Sequence, residues 1–176
     1  MNDRLTDLLA GRVAPGLYRL TQPTAADEIA RLATRRGWRF ARLAGRQITS
    51  KAAFLAACAA ALDFPAYFGR NWDALADSVR DLSWAETERG YLVLYEDAGV
   101  FAAAAPADFM VALDILRSAV ASWQETATPM TILLRRAGRA APLIPRLAPM
   151  IQRPHPRQAI LSGAAAFRCA AEGRRQ

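Results

Sequence analysis

The chain holds few residue sets able to do catalytic chemistry. Its one histidine, His155, is set between Pro154 and Pro156. With only Cys58 and Cys169 beside it, far apart and in no CxxC pair, it cannot assemble a zinc site of the usual type. A Ser-His-Asp relay would have to use that same histidine. The sequence contains no P-loop and no GxGxxG turn. Carboxylate pairs exist, but a catalytic pair needs two unlike environments, which a sequence does not display. An enzyme is therefore the weaker class, and no catalytic residue, metal site or cofactor is assigned.

The informative stretch is Asp63–Leu82, DFPAYFGRNWDALADSVRDL. Pro65 and Gly69 mark an irregular aromatic segment, and Asn71 is suited to cap a helix over Trp72–Leu82. On that helix Trp72, Leu75, Val79 and Leu82 form an apolar stripe. Asp73, Asp77 and Asp81, at i, i+4 and i+8, form an acidic stripe about one residue further round. Each like-charge pair at that spacing costs roughly 0.2–0.5 kcal/mol. The helix N-terminus offsets part of this for Asp73 and little for Asp77 or Asp81. On spacing alone the plainer reading is an ordinary solvated face; a mimic of a nucleic-acid backbone has the same pattern, and spacing does not decide between them.

The elements that must position this segment are readable on both sides. Gly16–Leu20 alternates as a short strand after the Pro15-Gly16 turn signal. Thr24 is expected to cap a helix reaching about Arg36, with Asp27 imitating a capping box and Gly37 ending it. Trp38–Gly45 alternates apolar residues with arginines and predicts a second strand. Ser50 is a good cap for a helix over Lys51–Leu62, with Phe54, Leu55, Cys58 and Leu62 on one face. Gly90–Tyr95 is a continuous apolar run, the mark of a strand covered on both faces. Alanine-rich helical sequence follows and is broken by Pro106, and Asp108 opens a longer helix to about Gln124. Met130–Arg135 is the last strand. Helices between the strands imply crossover connections and a largely parallel sheet. Beyond Arg136, five prolines from Pro142 to Pro156 exclude a long regular element; Gln158–Ala171 has the composition of a terminal helix.

A hydrophobic fraction of 53% supports a buried core. The richest apolar run, Ala52–Leu62, is well short of the roughly 18 residues a membrane span needs. The acids Asp3 and Asp7, with no basic-then-apolar leader, suggest a cytoplasmic protein without a membrane partner. Both cysteines read as small buried hydrophobes. The net charge is +7, but it is unevenly placed. Residues 37–135 carry nine basic and eleven acidic side chains, whereas residues 136–176 carry eight arginines against Glu172 alone. The basicity belongs to the tail and says little about what the middle binds.

The stretch LDFPAYFGRNWDALADSVRDLSW resembles the signature of the barstar family: a Pro, an aromatic pair, Gly, Asn, then Asp-Ala-Leu and a further Asp. RLAGRQITSKAAF resembles that family's first strand and helix, YLVLYED its second strand and TILLRR its last. The resemblance covers about Trp38–Arg136. It implies an α/β, barstar-like fold with a small three-stranded parallel sheet flanked by helices. Residues 1–36 then form an N-terminal extension, a strand plus helix able to extend the sheet. Residues 37–136 form the barstar-like domain, and 137–176 a basic, Pro/Arg-rich C-terminal extension.

The resemblance also implies a function: an intracellular inhibitor, or immunity protein, that blocks a ribonuclease or ribonuclease-like toxin stoichiometrically with the 65–81 loop and acidic helix. Carried over, Tyr67 matches the loop aromatic, Gly69 a close backbone approach and Asn71 the helix start. Asp73 matches the first acid and Asp77 the second, which occupies a phosphate position in the enzyme. Asp81 continues the acidic face, and either Ser118 or Glu125 stands where a further acidic contact falls on the long helix. Two positions depart from the family's founding members: Ala76 replaces a Trp between the acids, and Arg70 replaces an acid. Two other functions stay open, a barstar-fold module with a non-ribonuclease partner and an RNA-binding protein acting through its basic tail.

Overall fold

The computed structural model of the protein describes residues 3–138 and 144–147. Its centre is a sheet of four parallel strands in the order β1-β4-β3-β2. These are β1 (Leu17–Leu20), β2 (Trp38–Ala44), β3 (Gly90–Glu96) and β4 (Met130–Arg135). The three strands expected between residues 38 and 136 are present; β1 adds a fourth on the free edge of β4. After β4, residues 144–147 run along the outer edge of β1. There Arg19 N–H donates to Pro145 O at 2.8 Å, and Leu147 N–H donates to Arg19 O at 3.0 Å.

Alternation along the strands splits the core into two layers. Tyr91, Val93 and Tyr95 of β3 face one side with Met130, Ile132 and Leu134 of β4. Covering that side are α3 (Lys51–Ala61), α4 (Trp72–Asp81), α5 (Ala98–Ala104) and α6 (Pro106–Trp123). Leu92, Leu94 and Leu133 face the opposite side, under α1 (Asp3–Leu9) and α2 (Ala26–Thr34). Every residue of β3 is buried, as its unbroken apolar run requires. Gly90 is needed at its start: φ is +142°, and a Cβ there would lie 2.2 Å from Pro129 O.

The helix starts obey capping chemistry, with two corrections. Ser50 Oγ accepts from Ala53 N–H at 3.3 Å and opens α3 as expected. Thr24 does not cap α2. The chain stays extended through Ala25, so the helix starts at Ala26 with no side-chain cap, and the carbonyl of Thr24 instead accepts from the guanidinium of Arg135. Asp27 sits in the first turn rather than in a capping box, and the helix ends at Thr34, before Gly37 (φ +76°) turns the chain into β2. Pro106, not Asp108, opens α6; its missing N–H and fixed φ suit the first helical position. Helix α1 had no counterpart in the sequence reading. Cys58 is buried and unpaired, and burial pushes its thiol pKa up, away from reactivity. His155, Cys169 and the expected helix at Gln158–Ala171 lie outside the described residues.

The carboxyl ends of the strands are tied by charge. Glu96, 6% exposed, accepts from Arg42 Nε at 2.6 Å and Arg135 Nη1 at 3.1 Å. Arg136 approaches it at 3.8 Å and pairs with Asp97 at 2.7 Å. Arg135 is only 12% exposed, so removing its carboxylate partner leaves a charge that water reaches poorly. Glu96→Ala is therefore expected to lower stability by about 3 kcal/mol. Urea denaturation at neutral pH checks this; a loss below about 0.5 kcal/mol, the scale of an exposed pair, would contradict it.

Candidate functional site

The connection from β2 to β3 carries the segment singled out in the sequence. Its loop, residues 62–71, is held from below by aromatic packing. Phe64 meets Phe68 at 4.9 Å and Trp84 at 5.9 Å between ring centroids, both edge-on. Trp84 Nε1 donates to Leu62 O at 3.1 Å, and Phe68 N–H closes a turn onto Pro65 O at 2.9 Å. Arg39 of β2 pairs with Asp63 at 2.7 Å. The aromatic pair therefore divides: Phe68 packs inward, while Tyr67 stands 81% exposed. An aromatic ring left in water on a fixed loop forgoes about 1.5–3 kcal/mol that full burial would return.

Two residues shape the passage from loop to helix. Arg70 adopts φ +48°, the left-handed region that disfavours side chains by about 1–2 kcal/mol. Asn71 then caps α4, its Oδ1 accepting from Ala74 N–H at 2.8 Å. Gly69 has no positive φ, and a Cβ there would meet nothing closer than 3.4 Å. The fold itself thus does not require a glycine at 69.

Helix α4 presents the two stripes read from its spacing. Leu75 and Val79 are buried, as is Leu82 at its C-cap. Trp72 is half-buried, against Phe54 at 6.1 Å and beneath Lys51 Nζ at 5.0 Å, in cation–π geometry. The far end is fixed by Trp123 of α6, whose Nε1 donates to Val79 O at 2.8 Å. Asp73, Asp77 and Asp81 are exposed, and none of them forms an ion pair among the described residues. The Tyr91 hydroxyl, which donates to Leu82 O at 3.5 Å, has its pKa raised, chiefly by burial; Arg39 opposes the shift and Asp81 adds to it.

Tyr67, Gly69, Asn71, Asp73, Asp77 and Asp81 therefore lie on one continuous loop-and-helix segment, all exposed. Ser118 and Glu125 are also exposed, Ser118 on α6 and Glu125 just beyond its end. The sequence reading missed the residues that hold this segment: Arg39, Lys51, Trp84 and Trp123. Their contacts come from distant parts of the chain, and only their size and amphipathic character hinted at a role. Among the described residues no group of three His, Cys, Asp or Glu side chains could hold a metal ion, and no helix is long and apolar enough to cross a membrane.

Asn71→Ala is expected to cost about 1 kcal/mol, the value of a lost cap. Asp77→Ala should leave thermal stability unchanged or raised by a few tenths of a kcal/mol, because it relieves two like-charge spacings. Clear unfolding of Asp77→Ala would show that its carboxylate supports the fold.

Comparison with known proteins bears on the same segment. The family model described as Barstar (barnase inhibitor) matches residues 38–135, more than half the chain. No curated protein matches the sequence. Among solved structures, one that is similar is the ORC2 protein of Aeropyrum pernix, in ADPNP-ADP complexes, with a TM-score of 0.50 and 14% identity. The alignment covers 79% of this chain and 39% of that one. At this identity the likeness shows a shared α/β fold alone.

Proposed function

The chain belongs to the barstar family, and on that premise we propose that it is a stoichiometric protein inhibitor of a ribonuclease or ribonuclease-like toxin. The observation that carries this reading is the exposed Asp77 carboxylate, without an ion pair among the described residues and presented with Tyr67 on a segment locked into the core behind it. A ribonuclease pocket binds phosphate with cationic side chains. A carboxylate placed there accepts charge-assisted hydrogen bonds, two in parallel where the donor is an arginine. Asp77 is the principal anchor in this reading, Asp73 and Asp81 extend the acidic field, and that field speeds encounter with a basic enzyme.

Tyr67 supplies the aromatic contact from a loop held by packing beneath it, which limits the backbone ordering to be lost on binding. Gly69, not demanded by the fold, gives the enzyme's surface room to approach the backbone. Ser118 or Glu125 completes the rim from the end of the long helix. The inhibitor acts in the cytoplasm, where a ribonuclease made by the same cell would otherwise reach its RNA. Ala76 leaves the surface between the acids flat, and Arg70 adds a cation at its edge. Ala76 thus gives up an aromatic contact, and Arg70 favours a target less basic at that edge.

The test is capture by the immobilised full chain from a lysate of the producing cells, followed by a ribonuclease assay of the captured protein. A ribonuclease silenced at a one-to-one ratio is expected. Asp77→Ala should weaken that complex by about 2 kcal/mol or more, roughly thirtyfold. If the same partner returns equally with both forms, the acidic-helix mechanism fails. A partner without ribonuclease activity that still depends on Asp77 would replace the target while keeping the surface.

A further inference from the structure

A second site is lined by none of the residues of the acidic helix. Strand β1 exits to α2 on one face of the sheet, whereas β2 and β3 exit to α3 and α5 on the opposite face. In open parallel sheets, the crevice outside the carboxyl ends of strands where this change of side occurs is where ligands bind. Here that crevice is a cavity of about 500 Å³ between the β1–α2 loop and the end of β4. The volume falls within the roughly 300–1,000 Å³ of small-molecule sites.

Its lining has a definite chemistry. Arg19, Arg135 and Arg136 are among the lining residues, and none of the described lining residues is acidic. Glu96 and Asp97, behind it, pair with Arg135 and Arg136 but are shared with Arg42 and Arg46. Arg19 is half-buried, and its guanidinium makes no ion pair among the described residues. Asp27 and Glu28 stand in the first turn of α2, outside the lining.

Two buried polar atoms of lining residues also lack partners among the described residues, the acceptor Gln22 Oε1 and the donor Arg135 Nε. A buried group left unsatisfied costs about 1–3 kcal/mol. The backbone at Arg136 is held at φ +50°, a left-handed conformation of the kind that clusters at ligand sites.

We propose that this cavity binds a phosphate group, free or carried by a small ester. The phosphate oxygens meet the Arg19, Arg135 and Arg136 guanidiniums, whose forked donors match them. Leu20 and Pro23 supply apolar wall.

The experiment titrates the full chain with ribose 5-phosphate and with inorganic phosphate, followed by phosphorus NMR. Both probes are expected to bind the wild type. Arg19→Gln combined with Arg136→Gln should weaken both probes at least tenfold. Arg153→Gln combined with Arg157→Gln, which removes equal charge from the tail, should change neither by more than about twofold, provided attraction to net charge alone is weak. Absence of binding by the wild type, or equal losses in the cavity and tail pairs, would overturn the proposal. Circular dichroism of each variant establishes that it is folded.

Discussion

The structure depends on burying β3 on both faces. Gly90–Glu96 has no polar side to turn to water until its last residue, so the strand is stable only beneath two apolar layers. Residues 38–135 supply one of them through α3, α4, α5 and α6. The other comes from α1 and α2, and β1 covers the edge that β4 would otherwise leave open. The N-terminal residues thus complete the burial of the strand from which the neighbouring loops are hung.

That constraint explains how a loop rich in exposed groups keeps one shape. The β2–β3 connection must cross the buried face, and it does so by burying Phe64, Phe68, Leu75, Val79 and Leu82. Each inward residue fixes an outward neighbour: Phe68 leaves Tyr67 in solvent, and the Leu75–Val79 stripe turns Asp73 and Asp77 away from the core. Tryptophans from two separate segments, Trp84 and Trp123, then bond the backbone at either end of the stretch, at Leu62 and Val79. The exposed residues are held in place by packing and contribute almost nothing to it.

What was legible in the sequence follows from the range of the forces involved. Asn71 and Ser50 were readable as caps because a cap is a contact over three residues. The four strands were readable because alternation and continuous apolar runs are local patterns. Thr24 looked like a cap by the same local rule, yet its carbonyl is committed to Arg135, 111 residues away. Helix α1 escaped notice because seven residues give little periodicity, and Leu5, Leu8 and Leu9 declare themselves only against α2 and the sheet. The site's chemistry, Tyr67 and the aspartates, was visible; its scaffold of Arg39, Lys51, Trp84 and Trp123 was not, since those contacts exist only after folding. The cluster around Glu96 was hidden for the same reason, its four residues lying in three strands and the turn after β4.

The acids of the strand ends and those of α4 differ in how their charges are satisfied. At the strand ends Glu96 and Asp97 are shared among Arg42, Arg46, Arg135 and Arg136, so the acids there are internally compensated and serve the fold. On α4 three carboxylates stand in a row with no ion pair among the described residues, although Arg70 and Arg80 are close in sequence. A helix selected for stability alone would alternate signs at i and i+4 and gain a few tenths of a kcal/mol per pair instead of losing it. The acidic row is a small standing cost to the free protein, and an electropositive surface set against it would turn that cost into attraction.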